Sequence, residues 1–169
     1  RIVNGVKVSK PLLDLAVAKS SGLLGIATQN NLTTRETSSK NGSAYVFLYF
    51  TAAHKDDGEG IGNRLYRYEL VDNRLVNPKL LLDLPKGIIH NGGQILIGPD
   101  RYLYITMGEA MNGTNPVHKR NEALNYQGKR AIAPDGRGGI LRIDQNGEPI
   151  LTNGHGILGD TDPLNKYYS

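Results

Sequence analysis

The chain has no cysteine and no tryptophan among its 169 residues, and only two phenylalanines. Without thiols it can form no disulfide, use no thiolate nucleophile and build no cysteine zinc site. The count is compatible with either a reducing or an oxidising compartment. No apolar run approaches the roughly 20 residues that a membrane-spanning helix requires. The net charge is +4, but the basic residues are scattered and no run of five occurs. That distribution reads as ordinary solvation and not as a nucleic-acid surface. No G-x-S-x-G or H-E-x-x-H stretch is present, which speaks against a serine hydrolase or a zinc protease. Gly136-Arg137-Gly138-Gly139 does not follow a strand and open a helix. It reads as a tight turn before a strand, not as a phosphate cradle. No signal peptide is visible, and the chain opens on Arg1 without an initiator Met, which leads to the expectation of a processed or truncated product.

What is present is turns and alternation. The chain holds 21 glycines and 8 prolines, and its aromatics are mostly Tyr, a composition that favours many short strands over long helices. Asn4-Gly5 between Ile2-Val3 and Val6-Lys7-Val8 predicts a two-residue hairpin, because both turn positions need positive φ. AYVFLYF at 44–50 predicts a buried strand. The alternation at 64–70 predicts another, and 94–97 with 102–107 a pair joined by Gly98-Pro99-Asp100-Arg101. Residues 139–143 are expected to pair with the segment after Asn146-Gly147. The only candidate helix is 11–19.

The two halves resemble each other. Leu13-Asp14-Leu15 recurs as Leu82-Asp83-Leu84, Gly22 as Gly92, and the Asn4-Gly5 turn as Asp72-Asn73 and again as Asn146-Gly147. A period of roughly 70 residues, made of four-strand groups, fits propeller blades with insertions better than it fits a β-sandwich. The expected fold is therefore all-β, with residues 1–169 forming two to three blades of one propeller domain. A ring needs about four to eight blades. The remainder is expected C-terminal or in another chain, and this segment alone is expected to self-associate through open sheet edges. The polar stretch 29–42 and the Asn-, Pro- and Gly-rich stretch 111–137 read as inserted loops.

Four histidines are available: His54, His90, His118 and His155. His90 stands apart because it lies in Gly87-Ile88-Ile89-His90-Asn91-Gly92-Gly93, just ahead of a strand, where flanking glycines let a side chain project without crowding. Imidazole can accept a proton at neutral pH. Glu109 follows the next strand, and a hairpin would bring it to the same end, where a carboxylate can orient an imidazole. On spacing alone, a hydrogen-bonded turn histidine and a solvated loop glutamate remain the alternatives. Asp56-Asp57-x-Glu59 and Asp160-x-Asp162 are loop carboxylates of the type that binds Ca²⁺, although neither matches an EF-hand loop.

Four ordered segments together carry a family resemblance. They are Gly22-Leu23-Leu24-Gly25-Ile26-Ala27, His90-Asn91-Gly92-Gly93, Gly98-Pro99-Asp100 with Leu103-Tyr104-Ile105-Thr106-Met107-Gly108, and Gly139-Ile140-Leu141-Arg142-Ile143-Asp144. The set resembles the soluble pyrroloquinoline quinone (PQQ)-dependent sugar dehydrogenases, the glucose/sorbosone dehydrogenase family, over almost the whole chain. The resemblance implies a six-bladed β-propeller with PQQ and Ca²⁺ at the mouth of its channel. It implies oxidation of an aldose at the anomeric carbon, with an external electron acceptor and a periplasmic or extracellular location. His90 falls on the family's proton-abstracting histidine, and Glu109 on the acid that pairs with it. Ser20 and Ile89 fall on positions next to the sugar. The chain departs from the family at these places: Ser20-Ser21 stands where Gln or Glu is frequent, Ile89 where an acid can stand, Glu109 where Asp is common, and Arg101 where Gly is usual. The family's PQQ-binding arginines and lysine, and its calcium-ligating Gly-Pro, come from later blades. They are expected beyond Ser169, so no PQQ or Ca²⁺ ligand is assigned within this chain. Two other readings share the architecture: a non-catalytic extracellular binding or scaffold propeller, which the departures suit, and a calcium-dependent propeller lactonase, which lacks this set of segments.

Overall fold

The computed structural model describes residues 2–19, 21–30, 44–110 and 135–169. Most of the two stretches read as inserted loops, together with Ser20 and His118, lies outside the described residues. The described chain is all-β apart from one short 3-10 turn, Leu164–Lys166.

Strands β1 (Ile2–Val3) and β2 (Val6–Lys7) form the expected hairpin, with Asn4 at φ 50° and Gly5 at φ 77°. A four-stranded antiparallel meander follows: β3 (Leu23–Asn30), β4 (Ala44–Ala53), β5 (Gly60–Val71) and β6 (Arg74–Leu84), hydrogen-bonded in chain order. The Asp72-Asn73 turn between β5 and β6 repeats the first turn's chemistry, both residues having positive φ (48° and 58°). A second meander contains β7 (Ile95–Ile97), β8 (Leu103–Met107) and β9 (Gly139–Ile143). Arg101 closes the β7–β8 turn at φ 66°, a left-handed position that explains why glycine suits it. Two antiparallel meanders joined by one core are consistent with a propeller-type fold.

β4 is buried on both faces and so has two jobs. One face, with Phe47 and Tyr49, joins Leu65 of β5 to Ile95, Leu103, Ile105, Leu141 and Ile143 of the second sheet. Each such side chain contributes about 1.5–3 kcal/mol through burial. The other face presents Val46, Leu48 and Phe50, with Tyr68 of β5. Here the structure corrects the expected helix at 11–19. That segment is extended: Ala18 N donates to Thr51 O (2.9 Å), Ala53 N to Ala16 O (3.1 Å), and Val17 bridges Ala52. The reason is period. Leu13, Leu15 and Val17 alternate, and all three pack on the second apolar face of β4, which outweighs local helix propensity.

The internal repeat has a structural counterpart at its glycines only. Gly22 and Gly92 take matching left-handed φ values of 63° and 71°, whereas Leu82-Asp83-Leu84 ends β6 and Leu13-Asp14-Leu15 lies outside the strands. Asn146-Gly147 is a different turn from the other two. Only Gly147 has positive φ (94°), and Asp144 N donates to Glu148 O (2.9 Å), closing a three-residue loop of the bulged type. Beyond it, β9 bridges the following chain only at Ile143 with Pro149, while its whole length pairs with β8. The free side of β9 is instead met by the last residues: Leu141 bridges Tyr167, and Ile140 N donates to Ser169 O (2.6 Å). The expected pairing of 139–143 with the segment after Asn146-Gly147 thus holds at Ile143 and is taken over by residues 167–169 at Ile140 and Leu141. The short bulged loop turns the chain away after Pro149, and it returns to β9 only at 167–169.

The two sheets meet at a glycine pair. A Cβ at Gly25 on β3 would stand 1.9 Å from the carbonyl oxygen of Gly93, just ahead of β7, and one at Gly93 would stand 2.6 Å from Leu24 Cβ. Both positions must be bare for the first strands of the two sheets to approach this closely.

Candidate active site

β7 and β8 are antiparallel, so the segment entering β7 and the segment leaving β8 share one end of the hairpin. The pairing continues past the strands: Gly93 N donates to Thr106 O (2.9 Å) and Ala110 N to His90 O (3.2 Å). This brings His90 and Glu109 together, and His90 Nδ1 is hydrogen-bonded to Glu109 Oε1. The His90 side chain is 54% exposed and that of Glu109 30%, so the imidazole is open to a substrate while the carboxylate sits behind it. The hydrogen bond from His90 holds the Glu109 carboxyl below the ordinary glutamate range, against a smaller upward push from burial. An ionised Glu109 accepts a hydrogen bond from the Nδ1–H, which leaves Nε2 as the ring nitrogen with a free lone pair.

The pair is held in a strained frame. His90 has φ 57° and Ala110 φ 48°, left-handed conformations that cost a non-glycine residue on the order of 1–2 kcal/mol. Gly108 makes room for them, since a Cβ there would lie 2.1 Å from His90 O. Beneath the loop is a buried polar network that sequence reasoning missed. Thr51 Oγ1 donates to Asn63 Oδ1 (2.7 Å), and Asn63 Nδ2 to Pro85 O and Asn91 Oδ1 (2.8 Å each). The Tyr49 hydroxyl donates toward Asn91 O (3.1 Å) and Met107 Sδ (2.8 Å), and burial pushes its phenol well above the ordinary tyrosine value. No local period marks these residues, although Asn91 stands beside His90 in the motif.

The other sequence candidates fall as follows. Ile89 flanks His90 and is half exposed, as is Ile88. Ser20 lies outside the described residues, whereas its neighbour Ser21 reaches the histidine loop, its Oγ accepting from Asn91 Nδ2 (3.1 Å). Arg101 sits at the far end of the hairpin from His90, so that departure does not touch the pair. Of the loop carboxylates, Glu59 pairs with Lys86 (2.9 Å), Asp160 with His155 (3.0 Å) and Asp162 with Lys166 (2.8 Å), while Asp57 accepts from Glu59 N (2.7 Å). Among the described residues, no three His, Asp or Glu side chains converge as a metal site would require. Arg64 pairs with Asp83 and Arg137 with Asp135, while Arg67 bonds Gln145 O and Asn146. These three arginines are thus engaged by groups of the chain itself. A cavity of about 520 Å³ along β6, lined by Leu80, Leu82, Asp83, Asp162 and Lys166 among others, does not include the pair.

A structure with this fold matches solved sugar dehydrogenases. An oxidoreductase described as a glucose dehydrogenase, from Thermus thermophilus, superposes with a TM-score of 0.59 at 29% identity, over 92% of this chain and 40% of that one. The PQQ-bound form of an aldose sugar dehydrogenase from Streptomyces coelicolor gives 0.50 at 28% identity, over 90% and 36%. A further glucose dehydrogenase, at 20% identity and a TM-score of 0.54, shows the shared fold. The class is thus a sugar-dehydrogenase-like β fold, of which this chain spans about two-fifths of the relatives' length. The family model for glucose/sorbosone dehydrogenase matches residues 2–162, and the chain belongs to that family.

Glu109 gives a prediction about pH. Its folded-state pKa is depressed, so its stabilising contribution is fully present above the ordinary glutamate value and is lost as pH falls through the depressed one. The urea midpoints of wild type and Glu109→Gln should therefore differ at neutral pH and converge as the solution is acidified through that window. A difference independent of pH would contradict the ionised pair.

Proposed function

We propose that this chain is the part of a six-bladed propeller sugar dehydrogenase that carries the general base, supplying two to three of the blades. The observation that carries the proposal is the exposed His90 imidazole with Nδ1 held by Glu109, inside the segment matched by the family model. Glu109 fixes the tautomer and stabilises the imidazolium once it forms. Nε2 takes the proton of the hydroxyl on the sugar's anomeric carbon as that C–O bond becomes C=O and the carbon loses hydride. PQQ, when bound, supplies the two-electron acceptor. A positioned base of this kind contributes roughly 10²–10⁴ in rate.

Ser20 and Ile89 are the proposed sugar-side positions. The residues that would hold PQQ and Ca²⁺ are proposed to lie beyond Ser169, in a C-terminal continuation or a partner chain that completes the ring, and an external electron acceptor is the proposed redox partner. A periplasmic or extracellular location belongs to the same proposal. The test is to supply the full-length protein with PQQ and Ca²⁺ and follow dye reduction with a panel of aldoses. Turnover that requires sugar, quinone and calcium is expected. No turnover with any aldose would favour a non-catalytic binding propeller, the reading that suits an exposed Ile89 in place of an acid.

A further inference from the structure

Asn91 is buried, and its amide uses its full hydrogen-bonding capacity. Oδ1 accepts from Asn63 Nδ2 (2.8 Å) and Gly87 N (2.9 Å), while Nδ2 donates to Gly87 O and Ser21 Oγ (3.1 Å each). One side chain thus pairs with both peptide groups of Gly87 and closes the loop 87–91 on itself. Gly87 is in turn pressed against the segment that carries Glu109, because a Cβ on it would meet the Ala110 backbone at 2.4–2.6 Å. Ala110 N also holds His90 O (3.2 Å). The left-handed backbone of His90 is gripped between these two attachments.

We infer that Asn91 is a positioning residue for His90: its clamp on Gly87, anchored through Asn63 and Ser21, keeps the histidine loop seated on the Glu109 segment, so that Nδ1 stays on the carboxylate and Nε2 faces outward. The inference rests on the reading of His90 as a general base. A fully satisfied buried network specifies one geometry, whereas a partly satisfied one releases it. Proton transfer depends on that geometry, since a displacement near 1 Å can cost about a hundredfold in rate.

The test uses Asn91→Asp in the full-length protein. The change preserves shape and the two accepted bonds but sets a carboxylate oxygen against Gly87 O. The expected result is a roughly 10- to 100-fold fall in kcat with KM little changed. The Glu109 carboxyl, followed by ¹³C NMR, should titrate closer to the ordinary glutamate range, both because its bond from His90 is loosened and because the new carboxylate repels its charge, so the uncharged Ser21→Ala variant isolates the first cause. Ser21→Ala, which removes only the outer partner of Nδ2, should move Glu109 in the same direction by less. If Asn91→Asp fails to fold, Ser21→Ala decides alone. Unchanged Glu109 titration in the folded variants overturns the inference. The two ideas fail separately: a moved titration in a protein that oxidises no sugar supports the positioning role and removes only the function.

Discussion

Replacing His90 with alanine should lower sugar oxidation by about 10²–10⁴-fold in the full-length protein and leave quinone binding largely intact. The size follows from losing the only described imidazole whose Nδ1 is bonded to a carboxylate within the motif-bearing hairpin. Quinone binding should survive because the change removes only the imidazole, and the residues proposed to hold PQQ lie beyond Ser169. Steady-state kinetics and an absorbance titration of the quinone check the two halves separately. The second half matters because an inactive variant that also failed to bind quinone would point to a collapsed loop. Unchanged turnover would remove His90 from the proposed role. Lysine at this position should not rescue activity, because a protonated ammonium cannot accept the hydroxyl proton.

A valine at Gly25 should destabilise the protein by about 3 kcal/mol and disturb the site as well. The first atom of the new side chain would lie 1.9 Å from Gly93 O and 3.1 Å from its carbonyl carbon, and 3.3 Å from Ile95 Cγ1. The first two are backbone atoms, so no rotamer change relieves the clash and β3 must part from the start of β7. Gly93 is three residues from His90 and bonds Thr106 O, so the displacement runs directly into the hairpin that carries the pair. A urea titration should show a lower midpoint, and kcat should fall with it. A midpoint like that of wild type would mean that the two first strands are not in contact.

The Gly25–Gly93 contact also shows what could and could not be read from the sequence. Both glycines stand in segments that mark the family, but the need for them arises from a close approach between strands far apart in the chain. Alternation at 102–107 anticipated β8, whose residues are buried and half-buried by turns. The Asn4-Gly5 and Asp72-Asn73 turns were legible because positive φ is a local demand. Chain order alone suggested that His90 and Glu109 would share one end of a hairpin. The segment 11–19 was misread because its alternating Leu13, Leu15 and Val17 gain their meaning from Val46, Leu48 and Phe50 on β4. Asn63 and Asn91 were missed for a similar reason. A buried amide is stable only when its partners are in place, and these two partner each other across 28 positions of sequence.

The most direct test of the central claim is a single turnover. The full-length protein, loaded with PQQ and Ca²⁺ and free of oxygen, is mixed with an aldose while the quinone absorption is recorded. The account predicts that the oxidised quinone is consumed in proportion to the enzyme, rapidly in wild type and roughly 10²–10⁴-fold more slowly in His90→Ala. An equal rate in both proteins, or no spectral change with any aldose, would contradict it.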